Sequence, residues 1–227
     1  MILLTPFDLA LAAVLVLAVA ALSWRMQLGL GRQLLISATR TVLQLLLIGL
    51  VLKALFANAD LWWVGGMALV MLLAAGREVM ARQKRRFTGW WGFGLGTGAM
   101  LMSSFVVALL ALTTIVGTQP WYNPQYAIPL LGMLLGNTMN GISLALDRLT
   151  HTAWQQRAVI EQRLMLGATR FEAIAHIRRE AMRSGMMPII NGMAAAGIVS
   201  LPGMMTGQIL AGSPPVEAVK YQILIMF

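Results

Sequence analysis

Asn137, Asn140, Ser143 and Asp147 follow one another at steps of three, three and four within an otherwise apolar stretch. That spacing puts them on one face of a helix. Amide, hydroxyl and carboxylate oxygens in such a row either line a route for a polar solute or hydrogen-bond to neighbouring helices. Arg40 and Gln44, with Ser37 and Thr41, make a second polar face, where the arginine can instead snorkel toward the interface. The string Ser200–Gln208, SLPGMMTGQ, offers a third possibility. Pro202 removes a helix hydrogen bond and Gly203 loosens the backbone. Broken helices recur where membrane proteins hold their cargo. Met204, Met205, Thr206 and Gln208 are therefore path candidates too, with an ordinary proline kink as the alternative.

Other chemistries are absent. The uncharged stretches hold no His, Asp or Glu, and the chain has no cysteine. Disulfides, thiolate metal sites and cysteine nucleophiles are excluded. His151 and His176 fall in a charged segment and read as solvated surface. Iron(II) prefers imidazole or carboxylate, whereas thioethers suit softer ions such as Cu(I). The 17 methionines read mostly as adaptable apolar filling, so no metal ligand set is assigned. There is no H-E-x-x-H, no G-x-S-x-G and no intramembrane pair of aspartates, which argues against an enzyme acting by itself. Nor is there a G-x-x-x-x-G-K-[ST] loop to cradle ATP phosphates. Gly92, Gly94, Gly96 and Gly98 lack a following lysine and contain two overlapping G-x-x-x-G patterns. They read as helix-packing surfaces, as do Gly132–Gly136 and Gly203–Gly207. No cofactor is expected in this chain.

The elements carrying these residues follow from composition. Of 227 residues, 59% are apolar and 11% charged, against about 25% charged in an average soluble domain. No charge occurs from Phe87 to Leu146, nor from Ser184 to Val216. The expected fold is an all-α bundle of about seven membrane spans, one domain over residues 1–227. The spans are Phe7–Trp24, Leu34–Leu55, Leu61–Gly76, Trp90–Val116, Tyr126–Leu146 and Met186–Leu210, with a seventh from Val216 still running at Phe227. That last stretch is too short to cross a core about 30 Å thick, so truncation is expected. No cleavable signal peptide is expected either, because the first apolar run lacks a basic lead.

Of the 17 Lys and Arg, only Lys53 and Lys220 fall outside the first, third and fifth connections and their edges, Arg86 among the rest. By the positive-inside rule those connections are cytoplasmic and the amino terminus is outside. The net charge of +9 is then a topology signal and not a nucleic-acid footprint. A multi-pass membrane protein, surrounded by lipid, is expected.

One connection is long: Asp147 to Gly185. Within it Ile160, Leu164, Ala168, Phe171, Ile174, Ile177 and Ala181 recur at helical steps, with a break at Leu166–Thr169. There Gly167 permits a turn and Thr169 can cap the next helix. The segment reads as helix, tight turn, helix, either lying on anionic lipid or docking a soluble partner.

The stretch EQRLMLGATRFEAIAHI resembles the EAA loop of ABC-transporter permeases. Glu161, Gly167 and Ile177 keep that motif's spacing, while Gln162-Arg163 and Arg179-Glu180 depart from it. The strings GNTMNGISLALDRL (Gly136–Leu149), LMLGAT (Leu164–Thr169) and SGMMPIINGMAAAGIVSLPGMMTGQILAG (Ser184–Gly212) resemble the permease family of the bacterial Fet iron exporter. Plant permeases implicated in aluminium tolerance are similar. The resemblance implies the membrane half of an ATP-driven exporter, a homodimer with a separate cytosolic ATPase that binds ATP and Mg. It also implies that Glu161, Leu166, Gly167, Ala168, Thr169 and Ile177 couple to that ATPase.

Overall fold

The computed structural model describes residues 6–57, 60–85 and 90–227. Arg86 of the third connection lies outside them. The chain divides into two compact units, Met1–Asn58 and Ala59–Phe227.

The first unit is a helical hairpin of α1 (Pro6–Arg25) and α2 (Gly31–Ala57). The turn runs through Gln27 at φ 53° and Gly29 at φ 70°. Gly31 lets α2 approach α1, since a Cβ there would stand 3.3 Å from the Ala20 carbonyl. Most other apolar side chains of both helices face outward, as lipid-facing surfaces do.

The second unit begins with α3 (Leu61–Arg82), whose first turn is capped by Asp60, accepting from the Trp62 N–H at 3.3 Å. Helix α4 covers Trp91–Val116, and α5 covers Pro124–Gln155 with Asn123 as its cap. The shorter helices follow: α6 (Arg157–Met165), α7 (Arg170–Ala173), α8 (Ala175–Ala195), α9 (Gly203–Leu210) and α10 (Pro215–Met226). There is no β-strand among the described residues. Ala68, Leu72 and Val79 of α3, Met100 and Ala108 of α4, and Leu131 and Leu135 of α5 make the buried core.

Glycines set two of the crossings. At Gly76 a Cβ would collide with the Thr97 side chain, and at Gly96 it would come 3.2 Å from Val79 Cγ1. Gly92 and Gly96 are buried, as close helix packing requires. Gly94, Gly98, Gly136, Gly203 and Gly207 instead meet nothing within 4 Å. Among the described residues, their spacing marks no close helix contact. Gly141 and Gly185 make the tightest approach between α5 and α8, with a Cβ on Gly185 falling 2.7 Å from the Gly141 oxygen.

Among the described residues five helices are long and apolar enough to cross a membrane: Phe7–Arg25, Gly31–Ala57, Leu61–Arg82, Trp91–Val116 and Pro124–Gln155. The expected boundaries shift in three places. Helix α5 continues well past Leu146, because polar residues extend a helix as readily as apolar ones when one face stays packed. At 32 residues it is about 48 Å long by helical rise, more than the hydrocarbon thickness. The expected single sixth span, Met186–Leu210, is two helices: α8 already starts at Ala175, and α9 is separated from it by 196–202. Pro202 is thus the N-cap of α9, not a kink within one helix. The third change lies inside α4, where Leu101–Phe105 and Ala111–Val116 are π-helical. Such turns widen the helix locally and often accompany functional sites.

Candidate functional sites: a rigid turn, a polar helix face and a helix break

The turn at 166–169 is built from two caps placed end to end. Gly167 sits at φ 90°, a left-handed conformation that glycine adopts without steric cost. Its N–H bonds the Leu164 carbonyl, and the Ala168 N–H reaches back to Arg163, both at 3.0 Å. This is the Schellman closure that satisfies the last carbonyls of α6. Thr169 then starts α7 with a capping box. Its N–H and Oγ1 donate to Glu172 Oε2 at 2.8 Å, and the Glu172 N–H donates to Thr169 Oγ1 at 3.3 Å. Arg163 Nη1 also donates to the Ala173 carbonyl, holding α6 against α7.

The apolar tip of this turn is bare. Leu166 is 86% exposed, Met165 79% and Phe171 72%. Ala168 is half-buried and Glu161 is exposed on α6. Ile177 is buried, as are Ala173 and Ala181. The expected stripe therefore splits. Its later part packs inside the unit, and its earlier part, around Leu166, faces out.

The backbone N–H of Thr169, then its hydroxyl, hold the Glu172 carboxyl below the usual glutamate range. A depressed carboxyl stabilises the fold above its unfolded pKa, and that stabilisation is lost as pH falls through the folded value. The turn is therefore expected to loosen on acidification below the ordinary glutamate range. Glu172→Gln should abolish that pH dependence, whereas Thr169→Ala, which keeps the backbone N–H, should only reduce it; amide hydrogen exchange at residues 167–172 measures both.

The four polar residues of α5 do not form one open lining. Asn140 Oδ1 accepts from Arg82 Nη1 at 2.7 Å, and Asp147 Oδ1 accepts from the Lys84 N–H at 2.9 Å. Ser143 is buried between those two positions, its hydroxyl without a partner. Asn137 instead borders a cavity of about 410 Å³ between α5 and α8, with Gly141, Met182, Gly185 and Pro188. Arg82 also pairs with Glu78 at 3.4 Å. Arg82 at the end of α3 and the backbone of Lys84, in a stretch expected only as a topology signal, thus fasten α3 to α5. Arg85 continues the fastening, its guanidinium 4.0 Å from the Trp154 ring centroid, with Arg157 at 5.1 Å. Ser104 of α4, hydrogen-bonded to Thr138 at 3.1 Å, was not among the expected residues. A serine in an apolar run carries no sequence signal for which helix it meets.

Asn140→Ala is expected to cost about 0.6 kcal/mol, at most about 2. In a double-mutant cycle Arg82→Ala and Asn140→Ala should be non-additive, because one hydrogen bond serves both. Thermal unfolding in detergent measures the cycle. Transport per folded protein, scored in the same preparations, separates a path role from helix fastening.

At the helix break, Thr206 Oγ1 donates to the Pro202 carbonyl at 3.1 Å. Met204 and Met205 are half-buried on α9. Gln208 Oε1 is buried without a partner. Among the described residues no three His, Asp or Glu side chains come together as a metal site. His176 faces Glu180 at 3.8 Å.

Residues 6–227 match the family described as Uncharacterised protein family (UPF0014). The chain belongs to the UPF0014 family. A UPF0014 membrane protein of Synechocystis is 43% identical over 214 residues, covering 92% of this chain and 80% of the relative. The Probable iron export permease protein FetB of Escherichia coli K12 is 31% identical, covering 98% of this chain and 84% of FetB. Protein ALUMINUM SENSITIVE 3 of Arabidopsis thaliana is 32% identical, covering 96% of this chain and 77% of the relative. No solved structure matches. The resemblance to the Fet permeases and the plant aluminium-tolerance proteins is borne out, and this UPF0014 chain is an integral membrane protein.

Proposed function

We propose that this chain is the membrane subunit of an ATP-driven ABC exporter in a bacterial cytoplasmic membrane. It works as a homodimer with a separate cytosolic ATPase and moves a metal ion out of the cytoplasm. Iron is the cargo that the name of the Escherichia coli relative suggests. ATP and Mg bind the partner, and this chain supplies the path but no nucleotide site. The amino terminus lies outside, with α8 and α9 together as the sixth span and α10 opening the seventh.

The observation that carries this reading is the turn around Gly167. Exposed apolar side chains cost free energy in water, yet Met165, Leu166 and Phe171 stand out from a segment rich in charge. A turn fixed by two caps transmits a push without absorbing it. Motion of α6 would pass through Arg157 and Trp154 to Arg85 and the end of α3, beside Asn140 and Asp147. ATP-driven closure of the ATPase pair would thereby switch which membrane face is open.

The test is purification of the permease by a tag on it alone, with a Fet-type ATPase co-expressed. The ATPase should stay bound through detergent, hydrolyse Mg-ATP, and drive metal export in vesicles. Metal movement driven by an ion gradient without the ATPase would contradict the proposal and favour a carrier or channel.

A further inference from the structure

Met193 of α8, Met205 of α9 and Met226 of α10 come from three different helices to line one cavity of about 280 Å³. Ala196, Gly197 and Pro202 of the non-helical stretch 196–202 are on its wall. Gln222 of α10 lines it as well. That side chain is 7% exposed and its Oε1 accepts no hydrogen bond. Val219, Ile223 and Phe227 complete the wall, and among the described residues no ionisable side chain lines it. The nearby charges of α10, Lys220 and Glu217, are exposed and paired with each other at 2.7 Å.

We propose that this cavity holds one soft monovalent cation, Cu(I) or Ag(I), between thioether sulfurs and the Gln222 carbonyl. Thioethers select soft ions over iron(II), magnesium or calcium. The desolvation cost of an ion rises with the square of its charge. Without a carboxylate in the wall, a divalent ion has nothing to offset that cost. A water molecule needs two to four polar partners, and the wall is largely apolar, so water is a poor occupant. A buried carbonyl oxygen lacking a donor carries a penalty that a cation removes. Unwound backbone at membrane depth is found where it lines protein or a cavity, which accounts for the break at this point. The proposal concerns binding to the permease itself and stands whether or not the ATPase coupling above is right.

The test uses the full chain, purified in detergent under reducing conditions, with Cu(I) supplied from a competing chelator. The wild-type chain should take one Cu(I), and X-ray absorption should show sulfur ligands. With no cysteine in the chain, those sulfurs are methionine. The triple variant Met193→Leu, Met205→Leu, Met226→Leu nearly conserves volume and should weaken binding at least a hundredfold. Met205→Leu alone should weaken it about tenfold, and serves if the triple variant does not fold. A control triple variant at Met26, Met102 and Met187, none of which lines this cavity, should bind as wild type does. The proposal is overturned if wild type takes no Cu(I) from the chelator, or if Met205→Leu in folded protein binds unchanged. Equal loss in the control variant, meaning scattered adventitious binding, overturns it too.

Discussion

Gly185→Val separates α8 from α5 and leaves the second unit unable to pack. A Cβ at position 185 would lie 2.7 Å from the Gly141 oxygen and 2.8 Å from the Ala145 Cβ. Both atoms belong to α5 and cannot rotate away. Overpacking of this kind typically costs 1–3 kcal/mol, so Gly185→Ala should lower stability by about 2 kcal/mol. The branched valine adds γ carbons to the same gap, and the expected result is loss of folded protein. Gly192 lies on the same helix but has open space around its Cβ. Gly192→Ala should therefore leave stability unchanged or raise it by a few tenths of a kcal/mol. Thermal unfolding of the three variants in one detergent decides the matter. Equal melting temperatures for Gly185→Ala and Gly192→Ala would show that α5 and α8 do not cross there.

Gly167→Val should act oppositely, leaving the fold intact and removing the function. Nothing lies within 4 Å of a Cβ at 167, but its φ is 90°. A left-handed backbone costs an L-residue about 1–2 kcal/mol, more for a β-branched one. The turn would relax toward negative φ, breaking the bond from the Ala168 N–H to the Arg163 carbonyl. Leu166 and Phe171 would then present a different surface. Under the proposed function, the transport rate per folded complex should fall at least tenfold while expression and melting temperature of the membrane core stay close to wild type. Stimulated ATP hydrolysis and efflux are the measurements. Normal values for both in Gly167→Val would remove this turn from any coupling role.

These two glycines also show what a sequence can and cannot disclose. Gly167 was legible because its signals are local: a helical stripe interrupted by Leu-Gly-Ala-Thr, with a capping threonine next in line. The apolar runs of α1 to α5 were legible for the same reason, each being an uninterrupted or nearly uncharged stretch of about the length of a membrane span. Gly185 carried no such signal, since its meaning lies in Gly141 on another helix. The pairing of Arg82 with Asn140 joins residues 58 positions apart, and nothing in either neighbourhood announces it. The spacing of Asn137, Asn140, Ser143 and Asp147 was legible as helical, and all four do lie on α5. Whether it opens to a path or meets α3 depended on which helix lay opposite. Polar continuation hid the true length of α5 and the early start of α8, because apolar runs mark membrane depth and not helix ends. Gln222 went unnoticed since a lone glutamine in a short apolar stretch is common at helix surfaces, and only its burial makes it unusual.

The coupling claim is tested most directly at Leu166. With no native cysteine, Leu166→Cys places the only thiol of the chain at the exposed tip of the turn. Membranes containing this variant and a co-expressed Fet-type ATPase are treated with a short thiol-anchored photo-cross-linker, and the adducts are identified by mass. The account predicts a single major adduct of one permease with one ATPase subunit. An ATPase that co-purifies with the permease yet forms no adduct from position 166 would contradict it.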